Sequence, residues 1–515
     1  MKKLTALLVF FSLIFVTTCV YAESAPASSL KDLIILGLKN NLGLEIEKVG
    51  VLSSREEIKA ESAVFDTELF ATTDYLQSRT PIAPVLGSTS DNRTKRYSGK
   101  VGLRKKMQNG LDASIFMNSE HVSGNDLSNN LDPYSRTAFI IELTQPLLRN
   151  FSTDVNTTQL RIADNRSRQT ALSYLLKAQN LTLLLESAVR QLAGQAHVVT
   201  LRENAEVLAS ELYQANRKRF DAGLVPVSEV QEAETALASR QLNLSQAQET
   251  YFLNRENLSR QLHIILDDNF DPTRLVDEQA VVSLPKVGTE LMLDEARQKR
   301  LEFKISQFSI DSSLLNKNYR ENQLKPQLDL TAQAGLNGLS GSERRPASGS
   351  HYEGNWGNSF SSLAEGDGYQ WGVGLNFSVP LGKQAAKARV RQAEYLNKQE
   401  NYRLQDLEVQ VRDQLEQQQI QLQRSYEQLQ LAERFAELAR KTLNQEQRRL
   451  DEGLSDTFRM ISFQDKMIEA QIGKVNATTR YQSALATMAF LRGNIFQRHG
   501  IVLTENSQEI NFENM

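Results

Sequence analysis

Residues Arg219–Gln241 read RFDAGLVPVSEVQEAETALASRQ, and residues Arg449–Gln471 read RLDEGLSDTFRMISFQDKMIEAQ. The same turn thus occurs twice, 230 residues apart, with a long helical pattern on either side. Gly223 and Gly453 stand where a left-handed residue ends a helix. Pro226 cannot continue the first helix and suits the start of the next. Each stretch therefore predicts the tip of a helical hairpin. Before the tips, Asn156–Phe220 and Lys383–Leu450 hold no proline and a single glycine, Gly194. At about 1.5 Å per residue, either would reach roughly 100 Å if unbroken. The return helices are expected at about Ser228–His263 and about Ser462–Gly493. Apolar residues recur at spacings of three and four, as at Leu181, Leu185, Val189 and Leu192, and helices this long without caps predict coiled coil. The opposite faces are rich in Gln, Arg and Glu, as in RDQLEQQQIQLQRSYEQLQ from Arg412. That is a solvated face, the solvent being bulk water or the water of a duct.

The duplication reaches beyond the tips. LKNNLGLEIEKVGVLSSREEIKAESAVFDTELFA, from Leu38, aligns with RQKRLEFKISQFSIDSSLLNKNYRENQLKPQLDL, from Arg297, pairing Asn41 with Arg300, Ser53 with Ser312 and Leu69 with Leu328 at an offset of 259. Further on, Arg161 meets Arg391 and Gly223 meets Gly453 at an offset of 230. A period this long is an internal two-fold repeat of a whole building block. Each half reads helix, strands, long helix, turn, long helix, and the first half is 29 residues longer before its tip.

Strands account for that difference. Tyr369, Trp371, Val373, Leu375, Phe377 and Val379 alternate with polar or small residues, as do Leu328, Leu330, Ala332, Ala334 and Leu336. The Gly- and Ser-rich Asn337–Gly368 between them reads as loop. Weaker alternation marks Leu69–Tyr75 and Phe139–Leu143. Between these lies an additional hairpin, Tyr97–Lys105 and Leu111–Met117, joined by Gln108-Asn109-Gly110, an Asn-Gly turn signal. Such strands suit a soluble sandwich or a membrane barrel, whose strands are about 9–11 residues long with one apolar and one polar face. Strand length and the N-terminus favour the barrel.

That N-terminus reads as a secretory signal: basic Lys2 and Lys3, apolar Leu4–Val16, and a cleavage site at Val20-Tyr21-Ala22. The single cysteine, Cys19, lies inside it, so the mature chain has neither disulfide nor thiolate site. A net charge of -3 gives no basic footprint for nucleic acid. The five histidines, His121, His197, His263, His351 and His499, show no metal spacing, and Gly372-Val373-Gly374 sits within a strand and is no phosphate loop. No catalytic residue, metal site or cofactor is expected, and energy for any transport must come from a partner. The expected organisation is a signal peptide at 1–22, a first repeat at 23–285 with an extra β-hairpin near 97–120, a second repeat at 286–495 and a C-terminal tail at 496–515. Four or six strands cannot enclose a water-filled bore, and an open sheet edge in lipid leaves backbone groups unpaired at several kcal/mol each. Neighbouring copies must complete the wall.

The helix from Leu30 through NNLGLEIEK, the TQPLLRN strand end at Thr144–Asn150, and the paired RFDAGL and RLDEGL tips make the chain similar to the outer membrane efflux protein (TolC) family. The resemblance covers nearly all of the mature chain. It implies an α+β membrane protein: a trimeric outer-membrane β-barrel continuous with a long periplasmic α-helical coiled-coil barrel, in the outer membrane of a Gram-negative bacterium. It further implies the exit duct of a tripartite efflux pump or type I secretion system. The partners it implies are two other copies of the chain, a periplasmic adaptor (membrane fusion) protein, an inner-membrane RND or ABC exporter, and outer-membrane lipid. The alternative is a structural periplasm-spanning trimeric coiled-coil protein or adhesin without an open pore. The family pattern has four strands per chain. Here the barrel has six per protomer, or the hairpin lies outside the wall; its alternating faces point to insertion into the wall.

In the family, acidic rings just after the second tip narrow the periplasmic entrance. The matching positions are Arg459 and Ser462, neither acidic, and Asp456 is the nearest carboxylate. The first tip keeps acid at Glu229, with Glu232 one turn on. This departure puts a cation-selective entrance in doubt. Arg459 either joins inter-helix ion pairs that hold the entrance shut or is an ordinary exposed tip charge. By resemblance, Gly223, Leu224, Gly453 and Leu454 dock the adaptor's helical hairpin; by local chemistry the glycines simply terminate helices.

Overall fold

The computed structural model describes residues 29–82, 90–125, 129–267, 270–276, 288–344, 351–506 and 509–514. The expected signal peptide and the repeat boundary at 285 lie outside the described residues. Along the chain run α1 (Leu30–Asn40), α2 (Leu42–Ser62), β1 (Thr67–Ile82), β2 (Ser90–Lys106), β3 (Asp112–Gly124), β4 (Leu131–Pro146), α3 (Thr153–Asn156), α4 (Thr158–Asp221) and α5 (Val227–Leu262). There follow α6 (Thr289–Lys299), α7 (Leu301–Asn322), β5 (Gln327–Glu343), α8 (Asn358–Glu365), β6 (Gly368–Ser378), α9 (Gln384–Asp451), α10 (Thr457–Leu491), α11 (Ile495–Arg498), β7 (Ile501–Asn506) and β8 (Glu509–Asn514). Four strands lie between α2 and α4 but only two between α7 and α9, which is where the first half gains its extra length. The chain forms two compact units. One gathers the segment ending at Glu45, Lys177–Lys299 and everything from Asp413; the other gathers Ile46–Leu176 and Arg300–Arg412.

The helical unit contains both tips. Helices α4 and α9 are 64 and 68 residues long, as the unbroken patterns predict. Along α9, Leu415, Gln418, Leu422, Ser425, Leu429, Ala436, Ala439, Leu443 and Glu446 are buried. Their spacing alternates four and three with one half-buried step at Ala432, a heptad seam of the coiled-coil kind. On α4 the buried stripe is Ala178, Thr182, Leu185, Glu186, Val189 and Leu192. Gly37 of α1 lies so close to α4 and α5 that a Cβ there would stand 2.6 Å from a Leu185 methyl and 2.8 Å from a Leu262 methyl. The second return helix starts at Thr457, five residues before the expected Ser462, because the Asp456 carboxylate accepts the Arg459 N–H and caps it at once.

In the other unit, β1 to β6 form one antiparallel sheet in sequence order. The expected extra hairpin is β2–β3, continuous with the rest of the sheet. Register fixes two faces. One row runs Leu69, Leu103, Ile115, Ile141, Ala334, Trp371; the next runs Ala71, Val101, Met117, Phe139, Leu336, Tyr369. These apolar side chains are largely exposed, Trp371 at 73% and Tyr369 at 77%. The opposite face carries rows such as Glu68, Arg104, Ser114, Glu142, Gln333 and Thr72, Lys100, Asn118, Ala138, Asn337. The expected loop Asn337–Gly368 includes regular structure: β5 runs on to Glu343, and α8 packs on β4 and β5. Its Ser and Gly residues, which read as loop, are the small groups that let α8 close on the sheet.

Candidate functional site

The two tips are built alike. At the first, Gly223 N–H bonds to Phe220 C=O (2.8 Å) and Leu224 N–H to Arg219 C=O (2.8 Å). At the second, Gly453 N–H bonds to Leu450 C=O (3.0 Å) and Leu454 N–H to Arg449 C=O (2.7 Å). Both are Schellman closures with the glycine left-handed, φ +72° and +74°. The leucines that follow are left largely in solvent: Leu224 and Leu454 are 71% and 64% exposed, beside exposed Val227 and Phe458. Glu232 lines a shallow groove between α5 and α10 together with Thr235, Phe458 and Ile461.

Below the tips the two hairpins are tied by a polar clamp that the sequence reading did not single out. The Asn216 amide of α4 donates to the Thr457 hydroxyl (2.7 Å) and to the Glu229 carbonyl (3.2 Å). Thr457 in turn donates to the Glu229 carboxylate (2.9 Å). Asn216 and Thr457 are fully buried and Glu229 half-buried. At the equivalent depth of the second hairpin, buried Glu446 accepts from the Ser455 hydroxyl and faces Arg449 at 3.5 Å. Asn216 and Glu446 each stand seven residues before their tip glycine, so a polar residue recurring on the seam in both halves was the available signal.

Inter-helix ion pairs exist, between other residues than Arg459. Buried Arg240 of α5 pairs with Asp465 of α10, and Arg202 of α4 pairs with Glu469 of α10 at 3.2 Å. The Arg459 guanidinium is exposed and has no ion-pair partner among the described residues; Ser462 is half-buried.

Two carboxylates of this unit are strongly perturbed. Glu186, with no exposed side-chain area, meets His499 Nε2 (2.8 Å), Arg190 (2.9 Å) and Arg498 (3.4 Å). Burial pushes its carboxyl up, but the His499 hydrogen bond and the charges of His499, Arg190 and Arg498 outweigh it and bring the pKa to about 2. Arg190 also donates to Gln482 of α10 (3.0 Å), so the cluster joins α4, α10 and α11. Glu295 of α6 is likewise pushed up by burial yet lowered to about 2 by hydrogen bonds from Lys299, Asn494 and Arg492. These groups hold helices together, and Arg190 and Gln482 also line a cavity of about 340 Å³ beside Gly194, His197 and Thr479. In the sheet unit, His351, Glu365 and Asp367 gather at the surface with donor atoms within 4.8 Å of one another. The His351–Asp367 contact (3.5 Å) and the turn at Gly366 account for that grouping without an ion.

The polar sheet face is wired across strands. Arg104 donates twice to Glu68 (2.7 Å each), Glu120 lies between Arg96 (3.6 Å) and Arg136 (3.8 Å), and the Lys100 ammonium stands over the Phe116 ring (3.6 Å to its centre). Charge thus dominates one face of the sheet, while rows of exposed hydrocarbon run across the other.

Residues 292–494 match the family model of the outer membrane efflux protein. No curated protein sequence matches the chain. Among solved structures, the fold is similar to the outer-membrane channel OprN (TM-score 0.65, 15% identity, 90% of each chain covered). It is similar also to CusC (0.62, 12%, 90% of this chain and 92% of that one) and to the Campylobacter jejuni CmeC outer membrane channel (0.61, 14%, 90% and 86%). Residues 292–494 are thus similar to the outer membrane efflux protein family, within a chain whose fold resembles that of these solved channels.

Proposed function

We propose that the chain is one subunit of a trimeric outer-membrane channel that passively conducts small toxic solutes or polypeptides out of a Gram-negative cell. It serves as exit duct for an inner-membrane RND or ABC exporter, in a tripartite efflux pump or a type I secretion system. The observation that carries this reading is the inverted polarity of the sheet: hydrocarbon outward through all six strands, charge on the other face, and β1 and β6 left as edges. Such edges are untenable in lipid unless further copies pair with them. Three copies would close an eighteen-stranded wall, wider than one with four strands per chain, since barrel diameter grows with strand number.

The two halves, each with a strand set and a long helical hairpin, are read as copies of one building block. The exposed Leu224 and Leu454 beside Gly223 and Gly453 suit burial against a periplasmic adaptor's hairpin. Asp456, Arg459, Ser462, Glu229 and Glu232 then set the charge at the periplasmic entrance, with the Asn216–Thr457–Glu229 clamp holding the hairpins close.

Planar-bilayer recording of the purified protein tests the reading. Discrete conductance steps are expected, larger and more frequent in Thr457→Val and Arg459→Ala. A protein that inserts as a trimer yet conducts in none of these forms is a periplasm-spanning structural coiled coil instead.

A further inference from the structure

Helix α8 is built inside out. Its Ser359 and Ser362 are buried against the sheet, while Phe360 and the preceding Trp356 are 38% and 54% exposed. A helix on a water-facing surface does the opposite, turning its apolar stripe inward. The seat of α8 is polar as well. Ser359 Oγ shares a hydrogen with Thr137 Oγ1 (2.8 Å), and the Trp356 indole N–H donates to Ser119 Oγ (2.8 Å). Gly338 admits the helix backbone, since a Cβ there would stand 2.0 Å from the Ser359 carbonyl oxygen.

Ser119, Thr137 and Gly338 form one cross-strand row on the apolar face of the sheet, directly beyond the row that ends in Tyr369. The next row carries Tyr75 and Tyr97, whose rings lie 4.7 Å apart, and two rows further stand Arg79 and Arg93. The α8 segment thus sits where the hydrocarbon-facing rows give way to aromatics and then to charge. It covers the hydroxyls that would otherwise face lipid and offers an indole and a phenyl ring in their place.

We infer that α8 is an interfacial helix. Laid on the outer face of the sheet, it inserts Trp356 and Phe360 into the headgroup boundary of the bilayer and completes, over β3 to β5, the aromatic belt that Tyr75 and Tyr97 form over β1 and β2. The partner is a lipid surface, and the inference rests on the reading of the sheet as a membrane wall.

The chain's two tryptophans make the test direct, because Trp371 lies in the hydrocarbon-facing row three rows from Tyr75 and Tyr97. At about 3.4 Å per residue and a strand tilt near 40°, the two indoles should differ in depth by roughly 10–15 Å. Trp371→Phe and Trp356→Phe each leave one reporter. Both are reconstituted into phosphatidylcholine vesicles carrying a quencher at the headgroup or deep in the acyl chain. Trp356 is expected to be quenched most by the headgroup label and Trp371 most by the deep label. Trp356 quenched by aqueous iodide alone, with Trp371 still quenched by lipid, overturns the inference and leaves the membrane wall standing. Equal depth for both overturns it too. Neither tryptophan quenched by lipid removes the membrane wall, and the inference with it.

Discussion

Replacing Glu186 with Gln isolates the buried charge cluster of α4. The carboxyl sits at about 2 against an ordinary 4.5. That difference, about 2.5 pH units at about 1.36 kcal/mol each, amounts to about 3 kcal/mol of extra stability for the folded carboxylate. Because the folded value is depressed, this stability is fully present above pH 4.5 and drains away as pH falls from 4.5 through 2. A second route gives a similar figure. Gln keeps the volume, so no cavity forms, but Arg190 and Arg498 lose their counter-charge, and stripping one partner from a buried ion cluster costs about 3–5 kcal/mol. The assay is guanidinium unfolding of the detergent-extracted protein, followed by far-ultraviolet circular dichroism at fixed protein concentration, because subunit association shifts apparent stability. At pH 7, E186Q should be less stable by about 3 kcal/mol; by pH 3 the gap should shrink to under half, as the wild-type carboxylate loses its advantage. A gap below about 0.5 kcal/mol at pH 7, or one of constant size across the range, would refute the assignment of buried, paired charge to Glu186.

Glu295→Gln should lose less, about 1–3 kcal/mol, because that side chain keeps 22% of its area in water; its acid sensitivity falls in the same window between 4.5 and 2, read from the same titration. Thr457→Val deprives the Asn216 amide of an acceptor and the Glu229 carboxylate of a donor, at a cost of about 1–3 kcal/mol, and should raise open probability in single-channel recording. Gly223→Ala and Gly453→Ala each force a side chain into left-handed backbone, lowering the unfolding midpoint by an amount equivalent to about 1–2 kcal/mol while leaving helix content intact. Gly338→Val places atoms against a backbone carbonyl that cannot swing away, so α8 should lift from the sheet and Trp356 emission, measured in the Trp371→Phe background, should shift to the red.

Much of this architecture was legible because its signals are periodic. A two-residue alternation found the six strands of the large sheet, and long proline-free stretches found α4 and α9 to within a few residues, whereas β7 and β8 fall in the segment read as a C-terminal tail. What escaped depends on groups that only folding brings together. Glu186 looks like any carboxylate until the stripe Leu185, Val189, Leu192 is seen to pass over it. Thr457, one residue past Asp456, became visible as a clamp only once Asn216, 241 residues away, lay against it. Helix α8 was hidden by its own inversion: serines on the packed side and aromatics outside give no stripe of the ordinary sense, and its composition is that of a loop. Asp456 drew notice as an entrance charge, and the structure gives it a local task as the N-cap of α10.

The neighbours β4 and β5 hydrogen-bond to each other although 180 residues lie between Pro146 and Gln327. In the proposed outer-membrane channel, a chain exported from its N-terminus would present four paired strands with a bare flank long before the fifth exists. Closing so long a loop is slow, and the greasy half-built sheet meanwhile invites wrong partners. Assembly of the proposed wall would then include a waiting period, in which a truncated product ending after α5 would be stranded.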